Sequence, residues 1–216
     1  MGNCNMSRRI YFITHPDVVI DPTIPVPQWP LSACGRSRMQ CLLSRDWLRQ
    51  LEAIYCSTEQ KAIDGATILA EATGRPLHAV AELGENDRSA TGYLPPAEFD
   101  ATVDAFFARP HESIRGWERA TAAQARIVKA VTDIARSAMG AGPLAVVSHG
   151  GVGTLLLCHL TGQPISRTAE QPGRAGGNYF LFHWPEGTLI HGWKPIDGEP
   201  SMAQWSIGTD QGKPMA

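Results

Sequence analysis

Two histidines stand where the chain could do chemistry. His15 closes the run Arg9 to Thr14 (RIYFIT), and His149 follows the run Leu144 to Val147 with only Ser148 between them. Both runs are β-branched or apolar and bounded by charge or glycine, so both read as buried strands with a histidine at the C-terminal end. Imidazole attacks phosphorus only when neutral, and its ordinary pKa of about 6.5 leaves it largely neutral near pH 7. The charge that then develops on the three equatorial phosphoryl oxygens must be met by cations, a second imidazole or the amides of a helix N-terminus. Lys61 falls in the first turn of a helix, and His149 lies just before a helix beginning near Gly151, so both are placed to hold an anion.

The remaining elements explain how residues so far apart would meet. Five prolines between Pro16 and Pro30 make that stretch an irregular loop. Ser32 caps a helix over Gly35 to Leu51, whose apolar positions are Met39, Leu42, Leu43, Trp47, Leu48 and Leu51. Ala53 to Cys56 is a second strand, and Ser57 caps a helix from Thr58 to Thr73 that Gly74 stops. Leu77 to Ala81 is a third strand. Pro95-Pro96 opens a helix bearing Phe99, Val103, Phe106 and Phe107, and a longer helix covers Trp117 to Met139. Tyr179 to Phe182 and Thr188 to His191 form a hairpin around Pro185-Glu186-Gly187. Strands alternating with helices predict an α/β fold, a mainly parallel sheet with helices on both faces. Ligands bind such sheets at the carboxyl ends of the strands, which is where His15, the Ser57 to Lys61 turn and His149 fall.

Composition narrows the partners. A chain of 216 residues with 43% hydrophobic content fits one core, so a single domain is expected over 1–198, with 199–216 as a flexible tail rich in Pro, Gly and polar residues. A net charge of -2 with scattered Lys and Arg argues against nucleic acid and anionic membranes, leaving a small substrate. The five cysteines form no Cys-x-x-Cys pair, which argues against a disulfide framework or a zinc knuckle and for a reducing compartment. No apolar run is long enough to span a bilayer and the start lacks a signal-peptide core, so the expected location is cytoplasmic. Oligomeric state is not written in the sequence.

Taken in order, these residues resemble a known family. Ile13-Thr14-His15-Pro16 resembles the Arg-His-Gly motif of the histidine phosphatase superfamily, which includes the phosphoglycerate mutases. Trp29-Pro30-Leu31-Ser32 with Gly35 is similar to its Pro-Leu-Thr-x-x-Gly segment, and Ile54 through Ser57 and Lys61 to Ala66 to its Ser-Ser-x-x-x-Arg-Ala segment. Leu83-Gly84-Glu85 resembles its Leu-x-Glu, and Val147-Ser148-His149-Gly150-Gly151 its second histidine motif. The resemblance covers Arg9 to Trp193. It implies a phosphoglycerate mutase-like three-layer α/β/α sandwich and a metal-independent phosphomonoester hydrolase that uses no cofactor. His15 would accept the phosphoryl group, His149 stabilise the transition state and Glu85 protonate the leaving oxygen. Lys61, Ser57 and Gly150 would line the phosphate site, together with Thr14. The substrate would be a small phosphorylated metabolite or a phosphoprotein.

The pattern also departs from the family. Thr14 and Lys61 stand where the family has its two phosphate-binding arginines, and Pro16 stands for the glycine after the nucleophile. If each lost guanidinium fork costs about 1.5–3 kcal/mol, the pair is worth about two to four decades in rate. Arg88, three residues after Glu85, is the best-placed substitute cation, ahead of Arg36 and Arg119. A catalytically impaired relative that binds an anion or a partner is therefore the alternative reading. His159, His183 and His191 read as structural. No metal-ligand spacing appears, Gly173 to Gly177 lacks the lysine of a P-loop, and Ser57 and Ser148 lack a base.

Overall fold

The computed structural model describes residues 7–198, so the tail expected over 199–216 lies outside it. A single six-stranded sheet runs in the order β3-β2-β4-β1-β5-β6. Its strands are β1 (Arg8–Thr14), β2 (Ala53–Cys56), β3 (Leu77–Ala79), β4 (Leu144–Ser148), β5 (Asn178–Trp184) and β6 (Leu189–Pro195). The first four are mutually parallel, and β5 and β6 close the sheet as an antiparallel hairpin against β1. Five helices connect them: α1 (Ala33–Gln40), α2 (Gln60–Thr73), α3 (Pro96–Ala108), α4 (Ala120–Ser137) and α5 (Gly150–Leu160). This is the mainly parallel α/β sandwich that the alternation of elements predicts.

Strand alternation divides the core between the two faces. Ile10 and Phe12 of β1, Leu144 and Val146 of β4, and Phe180 and Phe182 of β5 pack with Ile127, Val131, Leu155 and Phe106 from α3, α4 and α5. On the other face Tyr11, Ile13, Ala145, Val147 and Ile54 pack with Met39 of α1 and with Ala62, Ala66 and Leu69 of α2. β1 and β4 are central and covered on both sides, which is why they read as unbroken apolar runs.

Several boundaries differ from the sequence reading. The helix expected over Gly35 to Leu51 ends at Gln40 and continues as two 3-10 turns, with Arg45 extended between them. Gly35 and Met39, buried within α1, are four apart, whereas the buried Leu42, Leu48 and Leu51 beyond it are separated by six and three, the repeat of a 3-10 turn. Ser32 does cap α1, its Oγ accepting from the Gly35 amide at 3.0 Å. Ser57 does not cap α2, which begins only at Gln60. β3 stops at Ala79, and α4 begins three residues after Trp117.

The proline-rich loop is tied down. The buried Asp64 carboxylate on α2 accepts from the Leu31 amide at 3.0 Å, Arg36 at 2.7 Å and Gln60 at 2.8 Å. Arg38 on α1 donates to Asp17 at 2.8 Å and Asp197 at 2.7 Å, pinning the segment after His15. We expect Asp64→Ala to lower unfolding stability by about 1–3 kcal/mol in urea titration, because it leaves the buried Leu31 amide unpaired. A midpoint unchanged from wild type would show that this carboxylate does not anchor the loop.

Candidate active site

In the parallel pairing of β1 with β4, Thr14 lies opposite Ser148. The His15 amide donates to the Ser148 carbonyl at 3.1 Å, and the Ser57 amide to the Val147 carbonyl at 3.1 Å. Three strand ends thus deliver His15, Ser57 and His149 to one edge of the sheet. The two imidazoles meet edge to face, with ring centroids 5.1 Å apart and planes at 68°.

The His15 ring has a defined tautomer. Its Nδ1 lies 2.9 Å from the Pro16 carbonyl, an oxygen that can only accept. In the neutral ring Nδ1 therefore carries the hydrogen, and Nε2 keeps the lone pair. Burial, and then the adjacent His149, push the His15 pKa down to about 3. The ring is neutral at physiological pH, and it lines a cavity of about 480 Å³.

His149 has no exposed surface. Its Nε2 lies 2.6 Å from Ser57 Oγ and 3.2 Å from the Glu59 carboxylate. Its Nδ1 is buried without a hydrogen-bond partner. Orphaned buried nitrogens are rare enough that each requires an explanation, and a role as partner to a bound ligand oxygen is one. When the Ser57 hydroxyl donates to Nε2, the hydrogen sits on Nδ1 and that nitrogen becomes a free donor. Burial lowers the His149 pKa, and the Glu59 and Glu85 carboxylates oppose that shift.

Glu59 is the residue that the sequence reading missed. Its carboxylate holds Lys61 Nζ at 2.5 Å, accepts from the Glu85 amide at 2.8 Å and touches His149. Burial alone would raise its pKa, but His149, Lys61 and these hydrogen bonds hold it at about 2. Lys61 is only 3% exposed and also donates to the Val26 carbonyl at 2.9 Å. The signal available in the sequence was an acid two residues before that lysine, inside the same turn.

Glu85 is fixed just as firmly. Its carboxylate accepts from the Gly151 and Val152 amides at 3.0 and 2.9 Å, at the positive end of α5. A Cβ on residue 151 would come within 2.6 Å of this carboxylate, so the glycine makes the approach possible. Arg126 steadies the segment by donating to the Gly84 and Glu85 carbonyls at 2.9 and 3.1 Å. Arg88 lies 3.9 Å from Glu85, with its guanidinium over the rings of Phe99 and Trp117 at 5.2 and 5.5 Å.

The family model "Histidine phosphatase superfamily (branch 1)" matches residues 26–193. The chain belongs to that superfamily. No curated protein sequence matches it. The fold is similar to that of YhfR from Bacillus stearothermophilus, with a TM-score of 0.72, 23% identity and coverage of 86% of this chain and 95% of that one. It is also similar to a mycobacterial glucosyl-3-phosphoglycerate phosphatase, with a TM-score of 0.67, 22% identity and coverage of 87% and 96%. A phosphoglycerate mutase from Bacillus anthracis gives a TM-score of 0.65 at 17% identity, covering 89% and 95%. The family match begins after His15, so the first motif stands on the geometry described above.

Within this histidine phosphatase fold, His15, Lys61 and Arg88 line the same cavity. His149 and Ser57 stand fully buried behind them. Gly150 packs against Gln171, whose amide nitrogen would lie 2.3 Å from a Cβ there. Thr14 sits apart, fully buried and donating to Gln171 Oε1 at 2.6 Å while accepting from the Asn178 amide at 3.0 Å. Among the described residues no group of three or more His, Cys, Asp or Glu could hold a metal ion. No helix among them is long and apolar enough to cross a membrane.

The His15 shift has a thermodynamic consequence. A folded pKa held below the unfolded value of about 6.5 gives stability that is fully present above that pH and is lost as pH falls toward about 3. We expect wild type to lose up to about 1.4 kcal/mol per pH unit more than His15→Ala between pH 6 and pH 4, measured by chemical denaturation. Parallel pH profiles for the two proteins would contradict the assigned shift.

Proposed function

We propose that this chain is a metal-independent phosphomonoester hydrolase that works through a phosphohistidine on His15. The observation that carries the reading is the neutral His15, with its Nδ1 hydrogen bonded to the Pro16 carbonyl, beside the orphaned Nδ1 of His149. His15 Nε2 attacks phosphorus, and the bond to the ester oxygen breaks. Glu85 gives the leaving oxygen its proton, and His149 with Lys61 and Arg88 meets the charge on the equatorial oxygens. Water then attacks phosphorus, giving a proton to the Glu85 carboxylate, and the N–P bond breaks, releasing phosphate and restoring both His15 and the proton on Glu85. The substrate is a small phosphorylated molecule.

One observation favours a second reading, a catalytically impaired relative that binds an anion or a partner. The nearby cations Lys61 and Arg88 are matched by Glu59 and Glu85, and Glu59 already occupies the lysine. An arriving phosphate must compete with that internal carboxylate.

An aryl phosphate assay with chelator present separates the two readings. Hydrolysis is expected in wild type and should fall at least about 1000-fold in His15→Ala, with acid-labile phosphate trapped on wild type only. Turnover unaffected by His15→Ala would refute the nucleophile, and vanadate binding without turnover would establish the impaired reading. Glu59→Gln should tighten vanadate binding at least about fivefold, while lowering the thermal midpoint because Lys61 is left buried and unpaired. Weaker vanadate binding in that variant would show that Glu59 assists the anion site instead of competing for it.

A further inference from the structure

The cavity above His15 offers more than a phosphate site. Its floor holds His15, Lys61 and Arg88, but its walls include Val18, Ile20, Trp29 and Tyr93. Its volume of about 480 Å³ is far more than a phosphoryl group needs and lies in the usual range for small-molecule sites. Trp29 and Tyr93 approach with ring centroids 5.8 Å apart. Ile20 is 59% exposed and Tyr93 is 37% exposed, so large apolar side chains stand in solvent on the wall of this cavity.

The charges at the rim point the same way. Arg167 pairs with Asp104 at 2.6 Å, Glu170 at 2.7 Å and Asp100 at 3.5 Å, and Arg174 pairs with Asp100 at 3.0 Å. Of these carboxylates, Asp100 and Glu170 line the cavity and Asp104 does not. On the floor, Lys61 and Arg88 are likewise paired, with Glu59 and Glu85, which lie outside the cavity lining. Every cation that lines the cavity is thus already held by a carboxylate, so an arriving phosphate must compete for it and much of the binding energy must come from the rest of the substrate.

We infer that the substrates are phosphate monoesters of an aromatic or other compact apolar alcohol. This inference rests on the reading of His15 as the phosphoryl acceptor. The ester's apolar body would lie against Ile20, Trp29 and Tyr93 while its phosphoryl group reaches His15.

Non-hydrolysable phosphonates test the body and the phosphoryl chemistry separately. In calorimetric titration of the full chain, benzylphosphonate should bind about 30-fold more tightly than methylphosphonate, the order expected for burying one aromatic ring. The benzyl-to-methyl ratio should fall below about fivefold in the Ile20→Ser/Tyr93→Ala double variant, with circular dichroism verifying its fold. Equal affinities for benzylphosphonate and methylphosphonate, or no binding of either, would overturn the inference. A parallel phosphatase assay of wild type and His15→Ala tells which claim has failed. Turnover that depends on His15 but not on the apolar body sinks the substrate class alone, whereas turnover indifferent to His15 sinks the hydrolase reading beneath it.

Discussion

The hydrogen bond from the His15 amide to the Ser148 carbonyl is the constraint on which the site depends. It extends the β1–β4 pairing by one residue beyond Thr14 and Ser148, and so forces the next residue of each strand, a histidine in both, into contact. Burial lowers the pKa of both rings, His149 lowers that of His15 further, and the Pro16 carbonyl selects the tautomer of His15. Backbone pairing thus sets where the rings lie, and the next carbonyl along the chain sets which nitrogen of His15 keeps its lone pair.

Around this pair the protein has built an electrostatic balance. The Glu59–Lys61 pair is buried, and ion pairs of that kind rarely add net stability once desolvation is counted. Its more evident effect is positional. Glu59 touches Lys61, His149 and the Glu85 amide, so one carboxylate links the α2 start, the β4 end and the loop that carries Glu85. Thr14, in the place of a family arginine, serves the backbone of β5 and supplies no charge. The site consequently differs in charge from the one its motifs imply, although His15 and His149 do meet at the sheet edge.

What the sequence disclosed follows from the range of the interactions involved. β1 and β4 were legible because central parallel strands are apolar on both faces, and Gly74 marked the end of α2 by its left-handed φ of 65°. The meeting of His15 with His149 followed from topology before any coordinates. Beyond Gln40 an apolar spacing of three imitates the 3.6 period, so the sequence alone extends the helix after Ser32 too far. Ser57 has the look of a local cap, yet its hydroxyl contacts His149 from ninety-two positions away, a contact that no local pattern encodes. Glu59 was overlooked for the same reason: all that was visible was a charged residue in a turn, and its role comes from partners on three separate elements. Arg126 likewise supports Glu85 from the middle of α4, where it looks like an ordinary solvated position.

Nitrogen-15 spectroscopy of the histidine side chains, followed from pH 8 to pH 4 with and without vanadate, tests the central claim most directly. The account predicts that the His15 ring stays neutral throughout with its hydrogen on Nδ1, and that vanadate shifts the resonances of both His15 and His149. A His15 ring that titrates near pH 6.5, carries its hydrogen on Nε2, or ignores vanadate would contradict it.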